Sequence, residues 1–250
     1  MGRDEQQIAA RLLALGRQAE DLFPALVPQA GTLVRENPYA FCLATCLDRG
    51  TKAELIWTIP YWIKEQLGHL DPYRIYQMPI HSLADLVHRL RKKPRYVNAA
   101  PRTIQDITRI VVEQFDGDAA GIWKGRRASD VHQVFLSVYG VGRGIANMAV
   151  LLIEKGYGIR FSDVDHSRMD IKPDVHTMRV LHRLGVASAV QEDAAIAAAR
   201  RLNPSYPGEL DGALWRIGRE WCTPNAPLCG SCPLNEVCER QGVHRQMQWP

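Results

Sequence analysis

Four cysteines fall within seventeen residues of the C-terminal region, in CTPNAPLCGSCPLNEVC: Cys222, six residues, Cys229, two residues, Cys232, five residues, Cys238. Thiolates this close together suit a tetrahedral zinc ion or an iron–sulfur cluster. Zinc sites usually pair two C-x-x-C units and this stretch holds one, while the wide first gap suits a bulkier group, so a [4Fe–4S] cluster is the preferred reading. Disulfides belong to secreted proteins. The charged, amphipathic start MGRDEQQIAARLLALGRQAEDLF lacks the continuous apolar core of a signal peptide or membrane anchor, and an intracellular protein is expected. Cys42 and Cys46 lie four apart in AFCLATCL, would share one helix face, and read as buried structural residues.

A second stretch, YGVGRGIANMAVLLI from Tyr139 to Ile153, sets glycines at 140, 142 and 144 before an apolar helical run. Glycine inside a helix costs about 1 kcal/mol relative to alanine, so Gly144, just inside the apparent helix, is the odd one. Backbone N–H groups at a tight turn followed by a helix N-terminus form a concave anion site, from which side chains would hold a phosphate too far away. Gly140, Gly142 and the backbone at Arg143, Gly144 and Ile145 are the candidates; a helical hairpin that needs glycine for its own geometry is the alternative. HRLRKKPRY (88–96) and WKGRR (123–127), the latter with Lys124, concentrate positive charge where phosphates could be met, and a solvated basic surface explains them equally well.

Asp174, before VHTMRVLHRLG, reads as a helix N-cap. The segment Gly156 to Asp174, GYGIRFSDVDHSRMDIKPD, is polar and without helical period; it reads as a β-hairpin or an irregular loop, and connections of this length are more often functional than idle. Its Asp163, Asp165 and Asp170 complete no calcium loop and are expected to be solvated acids.

Helical periodicity positions these residues. Apolar side chains recur at three- and four-residue spacing over 5–22, 51–67, 80–91, 103–115, 129–138, 143–155, 174–184, 188–201 and 209–220, with start signals at Thr51, Ser82, Ser129 and Asp174. Strand alternation is nearly absent, so the expected fold class is all-α. At 250 residues, 46% apolar and 23% charged, the chain can bury a sizeable core without a membrane. A net charge of +4 and a pI near 8.8 permit a nucleic-acid partner without demanding one.

The x6, x2, x5 cysteine spacing, placed after a G-V-G hairpin and an aspartate-capped helix, resembles the endonuclease III branch of the helix-hairpin-helix DNA glycosylase superfamily. PRYVNAAPRTIQDITRIVVEQFDGD, PDVHTMRVLHRLG and LDGALWRIGREWC support the likeness, which covers roughly residues 36 to 240. It implies two all-α lobes: an N-terminal helix within 1–36 that packs with the cluster domain, a six-helix barrel domain with the hairpin over 37–156, an iron–sulfur domain over 157–240, and a tail over 241–250. DNA would lie across the cleft between them. The implied partner is double-stranded DNA holding a damaged, modified or mispaired base; the implied protein is a monomer of the cytoplasm, associated with the nucleoid.

By position Asp174 matches the family's catalytic aspartate, where a carboxylate stabilises the positive charge that develops on the sugar or orients an attacking water. The base must first be flipped from the stack. The family's wedge loop falls near CLDRGTKAE, which has no glutamine; Arg49 or Leu47 takes the wedge place, or Arg49 and Lys52 sit on phosphate at a helix end. Tyr139 stands where the family usually has proline. In bifunctional members a lysine follows the G-V-G-R run and attacks the sugar as an amine; here that position is Gly144. Three readings follow: a monofunctional glycosylase in which Asp174 directs water, which is preferred; a displaced lysine such as Lys172; or an iron–sulfur DNA-binding or DNA-modifying protein that does not excise bases. TPNAPL carries no Lys or Arg, so the cluster organises the fold rather than gripping DNA.

Overall fold

The structure is a computed structural model that describes residues 3–17 and 22–243; the expected tail beyond 243 and residues 18–21 of the expected first helix lie outside them. Among the described residues the chain is helical, without strands. In order, the helices are α1 (Arg3–Arg17), α2 (Pro28–Glu36), α3 (Pro38–Leu47), α4 (Ala53–Leu67), α5 (Pro72–Tyr76), α6 (Ile80–Arg89), α7 (Ala100–Phe115), α8 (Ala128–Ser137), α9 (Arg143–Tyr157), α10 (Val175–Arg183), α11 (Glu192–Leu202) and α12 (Asp211–Glu220), joined by short 3-10 turns. None is long and apolar enough to cross a membrane.

The chain divides into two compact units, Met1–Glu20 with Asp165–Pro250, and Asp21–Val164. In the second, α3 is the central element. Pro38 sits at its first turn, the Asn37 side chain accepts from Tyr39 N and Ala40 N, and every residue from Tyr39 to Leu47 is buried, Cys42 and Cys46 among them. Phe41 is the hub of an aromatic cluster, with ring centroids 5.8 Å from Phe23, 6.0 Å from Trp57, 5.7 Å from Trp123 and 5.4 Å from Tyr157. A helix apolar on all sides belongs in a core and shows no hydrophobic stripe, which is why periodicity did not single it out. Helix α2 was missed as well. It buries Ala30 and Val34 and its Val34 carbonyl accepts from Tyr157 Oη at 2.8 Å, so it belongs to this unit rather than with α1, where the 1–36 grouping had placed it.

In the other unit Ile8 and Leu12 of α1 share one core with Leu181, Leu184, Leu202 and Leu214. Fully buried Ala195, Ala198 and Ala199 line the inner face of α11, where the small side chains let neighbouring helices come close.

Of the four expected start signals, one is a cap. Asp174 caps α10, whereas α4 is preceded by Lys52, Ser82 lies within the first turn of α6 and Ser129 within that of α8. Helix α8 is capped from elsewhere: Asp163 Oδ1 accepts Ala128 N at 2.8 Å, and Oδ2 accepts Ser129 N at 3.3 Å and Ser129 Oγ at 3.1 Å. The segment 156–173 is irregular, with one 3-10 turn at His166–Arg168 and buried anchors at Phe161 and Ile171. Its acids are paired rather than simply solvated: Asp163 also with Arg127, Asp165 with Arg168, and Asp170 with Arg200 at 2.7 Å.

Candidate functional site

The hairpin joins α8 to α9. Val141 N donates to Val138 O at 3.0 Å, closing a four-residue turn whose third residue, Gly140, has φ 79, a left-handed conformation that favours glycine. A Cβ on Gly140 would also lie 1.5 Å from Arg49 Nη1. That guanidinium donates through Nη1 to Gly140 O at 2.6 Å and through Nη2 to Thr103 Oγ1 at 2.9 Å, and stands 5.5 Å from the Tyr96 ring centre. Thr103 Oγ1 donates to Tyr139 O at 3.0 Å, Asp106 Oδ2 accepts from Tyr139 N at 3.0 Å, and Arg102 lies over the Tyr139 ring at 4.1 Å. The bare backbone of Gly140 is therefore filled by the protein's own arginine.

Gly142 differs. It is exposed, its φ is an ordinary −99, and a Cβ there would meet nothing within 4 Å. It precedes α9 without a side chain to cap it, and among the described residues no acceptor faces the N–H groups of Gly142, Arg143, Gly144 or Ile145. Unpaired first-turn amides and the helix dipole together favour an anion. Arg143 is exposed beside them, Gly144 is half-buried as the second residue of α9, and Ile145 is buried. Lys124 is exposed and paired with Asp118 at 3.3 Å. In the cluster 88–96, Arg91 pairs with Glu65, while Lys92, Lys93 and Arg95 are exposed.

In the other unit, Asp174 is held by a capping box. Its Oδ1 accepts both His176 N at 2.8 Å and Thr177 N at 2.9 Å, and Thr177 Oγ1 accepts Asp174 N at 2.9 Å. Oδ2 takes no hydrogen bond from the described residues, so the cap uses one oxygen of the carboxylate. Lys172 sits two residues before, half-buried, its N–H donating to Asp211 Oδ1 at 2.8 Å and its carbonyl accepting from Thr177 Oγ1 at 3.1 Å.

Cys222, Cys229, Cys232 and Cys238 are free thiols that line one pocket with Val180, Leu184, Ile217 and Trp221. No group of three or more ligating side chains converges tightly enough for a single ion among the described residues. Burial, foremost, and then the neighbouring sulfurs push the Cys232 and Cys238 thiols up against the backbone hydrogen bonds that favour ionisation. Four thiols gathered in an apolar pocket fit a cationic iron core, which would relieve that mutual repulsion.

Helix α10 grips this loop with two arginines that the sequence reading passed over. Arg179 Nε donates to Cys222 O at 2.7 Å and its Nη2 to Gly218 O at 2.7 Å. Arg183 Nη1 donates to Thr223 O at 2.8 Å and contacts Cys222 Sγ at 3.5 Å, while Cys238 Sγ donates to Arg183 O at 3.3 Å. Their four-residue spacing was the available signal, but it is equally that of a solvated helix face.

No family model matches the chain. It is 28% identical to endonuclease III of Thermotoga maritima over 209 residues, which is 81% of this chain and 83% of that one. Among solved structures, a trapped endonuclease III–DNA covalent intermediate superposes with a TM-score of 0.64 at 19% identity, covering 94% of this chain and 96% of that one. A thermostable thymine-DNA glycosylase gives 0.63 at 17% identity, covering 95% and 96%. The chain is thus similar to endonuclease III over most of its length and shares the fold of these glycosylases.

This chain carries glycine at 144, in the first turn of α9, where the sequence resemblance expects the lysine of bifunctional enzymes. Its Arg49 points into the hairpin backbone, and Leu47, the other wedge candidate, is 2% exposed. Tyr96, unmarked in the sequence reading, is 48% exposed between Arg49 and Arg95, whose guanidinium lies 5.9 Å from the ring centre.

Proposed function

We propose that this protein is a base-excision-repair glycosylase that hydrolyses the N-glycosidic bond of a damaged, modified or mispaired base flipped out of double-stranded DNA, and that it lacks AP lyase activity. The observation that carries this reading is the Asp174 carboxylate: one oxygen is fixed by two backbone N–H groups and the other is left for the sugar. As the bond from the anomeric carbon to the base nitrogen breaks, the sugar gains oxocarbenium character, which an adjacent carboxylate stabilises. The base nitrogen departs with the electron pair of that bond, water oriented by the same carboxylate adds to the carbon and gives a proton to the carboxylate, that proton passes to the released base, and an abasic site remains.

The unpaired amides of Gly142 to Ile145, with Arg143, supply a phosphate contact outside the reaction itself. Lys124 contributes charge at the periphery. Cys222, Cys229, Cys232 and Cys238 would hold a [4Fe–4S] cluster, which supplies a covalent tie between four points of the loop and no step of the hydrolysis. With glycine at 144 there is no side-chain amine at the position used for Schiff-base chemistry.

The test is a panel of lesion-bearing duplexes, scored for strand breaks with and without hot alkali, with borohydride added in parallel. Breaks that appear only after alkali are expected. A borohydride-trapped covalent complex overturns the monofunctional reading and turns attention to Lys172, whose backbone is tied through Thr177 to the Asp174 capping box. Duplex binding without product on any lesion leaves the non-excising alternative.

A further inference from the structure

We propose that Arg49 is a positioning residue that sets the backbone of the phosphate-binding hairpin, and neither neutralises a phosphate nor acts as the wedge. The proposal rests on the reading of that hairpin as a DNA contact. Three segments far apart in sequence meet at its guanidinium: the loop after α3, the first turn of α7 and the hairpin. Nη1 holds the Gly140 carbonyl and Nη2 the hydroxyl of Thr103, which is fully buried and passes the constraint to the Tyr139 carbonyl. Asp106 holds the Tyr139 N–H. Both peptide planes of the turn, 139–140 and 140–141, are thereby fixed before the chain reaches the unpaired amides that begin at Gly142.

The residue types fit this task. A guanidinium presents a rigid planar fork that can satisfy two acceptors at once, whereas an ammonium is a point charge on a flexible stem. The Tyr96 ring supports the arginine from beside. Gly140 makes the room, since a Cβ would fall on Nη1 itself. A wedge must be free to enter the base stack, and leaving for it would break both hydrogen bonds.

The experiment compares the full-length protein with Arg49→Gln, Arg49→Lys and Thr103→Val. Backbone hydrogen exchange is measured in the free protein at Tyr139 and Val141, whose N–H groups donate to Asp106 and Val138 in the turn, and affinity for an undamaged duplex is measured across a salt series. Loss of a charge-assisted hydrogen bond corresponds to about a tenfold rise in exchange. That rise is expected at the hairpin in both Arg49→Gln and Thr103→Val, with no rescue by Arg49→Lys and no change at the α3 amides. Duplex affinity is expected to fall without a change in the slope of log K against log salt.

A slope smaller by about 0.9 in Arg49→Gln would mean that Arg49 neutralises a phosphate, and overturns the proposal. Unchanged hairpin exchange overturns it too, as does equal acceleration in α3, which marks general destabilisation. Because exchange is read without DNA, it decides the role of Arg49 even if the wild-type protein fails to bind the duplex, a result that would count against the function itself.

Discussion

Asp163 closes the N-terminus of α8 from thirty-five residues away, its Oδ1 accepting Ala128 N at 2.8 Å. Burial alone would raise this carboxyl, but the Ala128 and Ser129 N–H groups, the Ser129 hydroxyl and Arg127 outweigh it and bring the pKa down to about 2. A group depressed in this way stabilises the folded state fully above the ordinary aspartate range near pH 4, and loses that contribution as pH falls toward 2. Asp163→Ala is therefore expected to lower stability at neutral pH by ~1 kcal/mol, the usual worth of a helix cap. Its melting temperature should drop by about 2–4 °C, and the gap to wild type should narrow on acidification from pH 4 to 2. A gap that stays constant over that window would show that Asp163 is not the group responsible.

Substitutions at Asp174 are expected to separate stability from chemistry. Asparagine keeps a side-chain oxygen for the His176 and Thr177 amides, so Asp174→Asn should melt within about 1 kcal/mol of wild type while excision falls by roughly a hundredfold or more. Asp174→Ala should lose both. Single-turnover release of base from a lesion duplex, measured beside thermal unfolding, distinguishes them; full activity in the asparagine variant would reduce Asp174 to a cap.

Gly144→Lys restores an amine at the second residue of α9 and replaces glycine by a better helix former, a gain of up to ~1 kcal/mol where the space allows it. The variant is expected to form a borohydride-trappable adduct with a lesion duplex and to nick strands without alkali, neither of which the wild type should do. Absence of the adduct in a folded, DNA-binding variant would remove residue 144 from the sugar's neighbourhood.

The cysteine loop makes a prediction about metal. Protein prepared without oxygen should be brown, with broad visible absorbance and iron and sulfide in equal amounts, whereas a colourless zinc protein would overturn the cluster assignment. Cys229→Ser, or removal of iron, should bleach it and lower its melting temperature, because four thiols in an apolar pocket would then lose their shared tie.

Spacing within a short stretch was enough to bring out the four cysteines of 222–238, the hairpin glycines and the capping aspartate, since each depends on neighbours a few residues away. The amphipathic helices were legible for the same reason: their stripe repeats every turn. Helix α3 was not, because burial on every side erases the stripe, and the cap of α8 was not, because Asp163 reaches it only through the fold. The hairpin shows the division most sharply. The sequence by itself determined that residues 140, 142 and 144 carry no side chains, whereas the tertiary structure decided that they do so for different reasons. Arg49 fills the space at Gly140 and nothing fills it at Gly142. Local chemistry is written along the chain; which guanidinium meets which carbonyl ninety-one residues away is set by packing.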